Sequence, residues 1–346
     1  MKRTPLVLAL GLALTTPALA KEPAAAPGYH LVKKVPLAGA GTYYDYLHVD
    51  EANRRLFVSH GDQVDVLDAD AVKVVATLPG FKKVHGIAVA PTAGRVFVTD
   101  GTLDVVKAFD AKTWKPAGDV AVGKNPDAIL FDPASGLIFA FNNHGASASL
   151  IDPATLKVTA TLELGGAPEF GRSDGKGTVW VNLEDKSEVV RIDARKRTVT
   201  AHWPLAPCTE PTGMAFDSKN RRLFVGCNNS LMAVVDADKG KVITTVPIGP
   251  GVDATAFDPA TGNIFNSCGG GEGSLAVIHQ DGPDKYTPVQ SIATQPRAKT
   301  LALDPRTHRL FLSAATFGPA PAATPQNPKP RGTMVPGSFS VLVFEK

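Results

Sequence analysis

No segment of this 346-residue chain repeats its apolar residues at a helical period, so helix should be nearly absent. Beyond the N-terminus, no run is apolar enough to cross a membrane. Net charge is almost lacking too: the formal +3 falls close to zero once Lys2 and Arg3 are discounted, which gives no general support for nucleic-acid binding. There is no GxSxG, no HExxH, no Walker loop and no CxxCH. Those absences exclude the common motif-bearing enzymes, but not enzymes whose sites are assembled from distant loops. Cysteine is scarce. Cys208, Cys227 and Cys268 allow one disulfide and one free thiol as the simplest arithmetic.

What remains is the composition of a globular protein, 44% hydrophobic and 20% charged, able to build a sizeable core. Residues 1–20, "MKRTPLVLALGLALTTPALA", have a basic start, an apolar stretch and a small-residue cleavage site ending at Ala20. They read as a cleavable signal peptide, so a periplasmic or secreted location is expected. Residues 21–28, "KEPAAAPG", read as a flexible linker. Residues 29–346 then form a single domain.

The 32 glycines and 28 prolines sit in regularly spaced turns, because the chain repeats itself. "RRLFVSHGDQVDVLDADAVKVVATL" matches "GRVFVTDGTLDVVKAFDAKTWKPAGDV" and "GLIFAFNNHGASASLIDPATLKVTATL". Asp68, Asp110, Asp152, Asp193 and Asp236 mark equivalent turns, 41 to 43 residues apart. Each unit reads as four short strands, a to d, rich in Val, Ile, Phe and Thr. The a–b turns are stereotyped: "DPASGL", "DPATGN", "DPRTHR". Four-stranded units of about 40–45 residues signal an all-β fold, the β-propeller. Seven a strands give seven blades. The seventh unit has a, b and c ("SFSVLVFEK") but no d, whereas one orphan strand, "YHLVKKVPL", precedes the first unit. Pairing the two removes an exposed edge and closes the ring.

The units resemble those of the YVTN-type (YncE-like) β-propeller repeat proteins, a bacterial and mostly secreted family. "RRLFV" and "VVDADKGKVITTVPIG" carry the likeness best, which covers residues 42–313 and the closing strand. The resemblance implies a seven-bladed ring and says little about activity. Related propellers include lactone hydrolases and subunits of quinone-dependent dehydrogenases.

In such a ring the d–a and b–c loops share one face. There the residue opening each a strand can be read in register: Asp45, His85, Asp127, Glu169, Thr212, Asp253 and Lys299. Six of the seven are ionisable, where a purely structural position would repeat one bland residue. Gathered like charges raise each other's pKa or attract a cation. The expected ligand site is therefore this channel mouth, with Glu210 and His60 close by. Oxygen ligands with one imidazole suit Ca²⁺, Mg²⁺, Mn²⁺ or a cationic small molecule. If a divalent cation is held, Asp45, His85, Asp127, Glu169 and Asp253 are its candidate ligands.

A second tier on that face comprises Asp100, Asn142, His144, Asn182, Glu184 and Asn228, whose types are also ordinary in turns. His48, inside an a strand, reads as an interior histidine. The opposite face carries Arg54, Arg55, Arg195, Lys196, Arg197, Arg221, Arg222, Arg306 and Arg309, with few aromatics for base stacking. Cys208 enters the fifth blade and Cys227 ends its b strand, so these two should form the disulfide. The Pro-rich stretch 316–338 interrupts the last blade and reads as an irregular insertion beside the mouth.

The favoured reading is a binding or scaffold protein, expected as a monomer, that holds a small molecule or a protein partner at the mouth. The alternatives are a lactonase-like metal-assisted hydrolase, an accessory to a periplasmic quinone-dependent oxidoreductase, or a nucleic-acid binder using the basic turns.

Overall fold

The computed structural model describes residues 28–39, 43–324 and 330–346; the signal-peptide assignment and most of the linker lie outside them. The chain forms seven four-stranded antiparallel sheets, each a blade in sequence order, and the only helical segments among the described residues are short 3₁₀ turns at Pro91–Ala93 and Glu184–Lys186. The last blade combines a (Leu301–Asp304), b (Arg309–Ala314), c (Ser340–Glu345) and, from the N-terminus, d (His30–Pro36). His30 pairs with Glu345 and Pro36 with Ser340, so the ring is closed as the orphan strand requires.

Local chemistry explains the repeat. In the c–d turns, the carboxylate of Asp68 accepts from the amides of Asp70 and Ala71 at 3.0 and 2.8 Å. Asp110, Asp152, Asp193 and Asp236 do the same two and three residues on, which fixes the turn without help from the rest of the fold. Between blades the core is aromatic. The third residue of every b strand is Phe57, Phe97, Phe139, Trp180, Phe224, Phe265 or Phe311, and each is fully buried. Burying one such ring contributes about 2–3 kcal/mol.

Two features set the mouth. In blades one to six the a–b ladder slips near its start, between Tyr44 and Leu47, Val84 and Ile87, Pro126 and Ile129, and at the matching places onward. The slip leaves the mouth residue outside the ladder, free to face the channel. In blades one, two, three, five and seven the carbonyl of that residue is then held by the preceding blade. Thr99 donates to Asp127 O at 2.6 Å, Asn182 to Thr212 O at 3.1 Å, Ser59 to His85 O, and Ser267 to Lys299 O. Thr300 and Ser313 close the circle on Asp45 O.

In blade five, Cys208 and Cys227 are joined, with Cα atoms 5.8 Å apart, while Cys268 is free and buried. The described ends of the Pro-rich insertion run antiparallel: Gly318 N donates to Thr333 O and Val335 N to Thr316 O. Phe317 packs beside Tyr44, under the guanidinium of Arg297. Residues 325–329 of that insertion lie outside the described part.

Candidate functional site

The opening positions of the a strands converge as one polar ring at the channel mouth. Asp45 is its centre. His85 Nδ1 lies 2.5 Å from Asp45 Oδ2, and the Tyr43 hydroxyl donates to the same oxygen at 2.6 Å. On the other side, the Lys299 ammonium stands 3.8 Å from Asp45 Oδ1 and 3.0 Å from Asp253 Oδ2. Asp127 Oδ1 is 3.4 Å from His85 Nδ1 and has no hydrogen-bond partner. Glu169 receives weaker bonds, from the Tyr46 hydroxyl at 3.3 Å and the Asn143 amide at 3.4 Å.

Tyr46 crosses from blade one to blade four, packing on Phe170 while its hydroxyl meets Glu169, so it floors the mouth. Deeper in the channel are His48, whose pKa burial lowers to about 4, and Arg172, lowered by burial to about 10.

Burial opposes charge throughout the ring, and the partners decide the outcome. For Asp45, burial is outweighed by Lys299, His85 and Tyr43, which hold its carboxyl below the usual range. Burial also works against His85⁺ and Lys299⁺, yet the surrounding carboxylates raise both above their ordinary values. Asp127 is pushed up to about 6 by burial and by Asp45, against the pull of His85. Glu169 is raised well above the usual range by burial and then by Asp127 and Asp253. The ring therefore has one sector with a cation, Asp253–Lys299–Asp45, and one whose carboxyls are pushed upward, Asp127–Glu169.

The remaining expected residues fall elsewhere. Thr212 is buried and spends its hydroxyl on Val252 O at 2.8 Å. Glu210 is exposed on the rim, where it accepts from Asn228. It helps, after burial, to raise Glu184. His60 lies apart from the ring: it is buried at the end of its b strand, stacked on Phe339 at 4.1 Å and 3.6 Å from Asp65. Its side chain leaves the b strand on the other side from Ser59, so it points away from the neighbouring a strand. Of the second tier, Asp100 is buried and caps the amides of Lys82, Lys83, Thr102 and Leu103, while Asn142 bonds Ser147 and Ser149. Asn182 is one of the inter-blade ties, and His144 is exposed. All of these bonds are structural.

Tyr43, Tyr46 and Asn143 were not among the expected site residues. A signal existed: three of the chain's five tyrosines, Tyr43, Tyr44 and Tyr46, surround Asp45. Register alone selects one residue per blade and passes over such neighbours. Of the five candidate metal ligands, the structure brings the donor atoms of Asp45, His85 and Asp127 within 4.8 Å of one another. It leaves Glu169 with Tyr46 and Asn143, and Asp253 with Lys299.

No protein-family model matches the chain, and no curated protein matches it. Among solved structures, a chain of Kuenenia stuttgartiensis hydrazine synthase is similar in fold, with a TM-score of 0.68 over 82% of this chain and 94% of that one. At 14% identity, the likeness is one of propeller architecture.

Proposed function

We propose that this protein is an extracytoplasmic propeller of the YVTN type that binds a positively charged ligand at the channel mouth. One observation carries the reading: of four carboxylates in the ring, only Asp45 and Asp253 lie against the Lys299 ammonium. Asp127 keeps an unpartnered buried oxygen, and Glu169 has only neutral donors. A cation entering there replaces protons and relieves the crowding of negative charge. The stitched carbonyls make the ring rigid, which suits binding by a pre-formed site.

The test is titration calorimetry of the full mature chain with alkylammonium probes and with divalent metal ions. Binding of at least one class should strengthen as pH rises through about 6, because the cation competes with the proton on Asp127. The pair Asp127→Asn and Glu169→Gln should remove it without loss of fold. If that double variant binds every probe as the parent does, the reading is wrong. N-terminal sequencing of the protein recovered from a periplasmic extract should begin at Lys21; a retained Met1 in the cytoplasm would remove the location.

A further inference from the structure

Resting on that reading of the mouth, we propose that Asp45, His85 and Asp127, with the Tyr43 hydroxyl, form a binding site for a first-row divalent transition-metal ion. Four donor atoms from the first three blades point at one place. Asp45 Oδ2 and His85 Nδ1 are 2.5 Å apart, Asp127 Oδ1 is 3.4 Å from the same nitrogen, and Tyr43 Oη is 2.6 and 3.0 Å from the first two. His85 is 2% exposed, so its imidazole is not there for solvent. Asp127 Oδ1 is enclosed, accepts no hydrogen bond and faces that imidazole. Buried polar atoms in a folded protein are ordinarily satisfied, and this one is satisfied by an ion seated among the four donors.

The donor set selects the ion class. One imidazole nitrogen with two carboxylates and a phenol suits Zn²⁺, Mn²⁺, Fe²⁺ or Co²⁺, whereas Ca²⁺ asks for six to eight oxygens, more than these residues offer. The backbone that carries the donors is also held, although His85 Nε2 has no hydrogen-bond partner. Ser59 holds the His85 carbonyl, Thr99 that of Asp127 and Thr300 that of Asp45, each from a neighbouring blade. Lys299 faces Asp45 Oδ1, while Oδ2 is turned to His85 and Tyr43, the side on which the ion would sit. Gly101 lies against the far edge of the ring: a Cβ there would come within 2.7 Å of His85 Nε2.

The experiment uses the full mature chain, stripped with chelator and dialysed against Zn²⁺, Co²⁺, Mn²⁺ or Ca²⁺ in turn. Expected are one equivalent of Co²⁺ with visible d–d absorption, and Ca²⁺ weaker than Zn²⁺ by ~10-fold or more. His85→Gln should lower Zn²⁺ affinity by ~100-fold and abolish the cobalt spectrum, and Thr99→Val, which touches no donor atom, should lower affinity by ~10-fold. If His85→Gln fails to fold, Asp127→Asn carries the same test. Absence of stoichiometric metal, or unchanged affinity in these variants, overturns the proposal. Alkylammonium binding by a chain that takes up no stoichiometric metal would sink the metal and spare the cation-binding reading; loss of both removes the reading itself.

Discussion

Every a strand but the second, which stops at Ala90, ends as well as begins with a polar residue, and the two ends behave oppositely. Asp45 and Asp50, Asp127 and Asp132, and Asp253 and Asp258 are the same residue five positions apart on one strand. At the turn end the carboxylates have donors in plenty. Asp132 accepts from Ser135 N and from the Ser173 hydroxyl of the next blade. Asp258 accepts from Ala260 N, Thr261 and His308. Asp304 takes two bonds from Arg54, one from Thr307 and one from Arg306 N. At the mouth end donors run short, and protons fill part of the gap. The type of residue does not make a carboxylate structural; the number of donors within reach does.

That contrast can be broken most severely by opening the ring, since both ends are defined by contacts between blades. A chain beginning after Leu37 loses the strand that covers Val341, Val343 and Phe344. Loss of more than ~5 kcal/mol, or aggregation, is expected, as a whole edge strand's cover is removed. Chemical denaturation and light scattering would show it; unaltered melting would refute the closure.

Next in size is Asp304→Ala at the turn end. It strands Arg54, whose side chain is 13% exposed, beside the remaining Asp70. Breaking a buried pair of this kind costs about 3 kcal/mol. If the turn-end carboxylates were as dispensable as those at the mouth, urea midpoints would not move.

Asp127→Asn at the mouth should act in the opposite direction. The native state holds the Asp127 proton up to about pH 6, whereas the unfolded chain releases it near the ordinary 3.8, so native stability falls as pH rises between those values. The amide cannot ionise. In metal-free buffer the variant should therefore gain about 3 kcal/mol over the parent above pH 6 and nothing near pH 4. Equal stability at both pH values would erase the distinction between the two ends.

The smallest effect sharpens the comparison. Thr99→Val removes the tie on Asp127 O and the acceptor for Gly86 N, at about 1 kcal/mol. Hydrogen exchange of the Gly86 amide should rise while the distant turn amides of Ala260 and Ser135 stay protected. Uniform acceleration would mean that the tie serves the whole ring and not its mouth.

The blade count and the turn aspartates were legible in the sequence because they rest on chemistry within a few residues, repeated from blade to blade, and the closure followed from counting the strands. The same register located the mouth residues, since equal positions in equal blades must reach equal depth. His60 shows where that reasoning stops. It lies one position beyond Ser59 on its strand, and alternation turns it toward Phe339 and Asp65 instead of the channel.

The sequence by itself therefore determined the seven-bladed architecture, its closure by the N-terminal strand, and the one position per blade that opens on the mouth. Only the tertiary structure decided how they pair: Lys299 with Asp253 and Asp45, His85 with Asp45 and beside Asp127, Tyr46 across the channel to Glu169. Most of those partnerships join equivalent positions in different blades, and the repeat does not encode which of them pairs with which. They depend on ångström distances across a closed ring and on how much water burial removes, and those two quantities set which carboxylate stays charged.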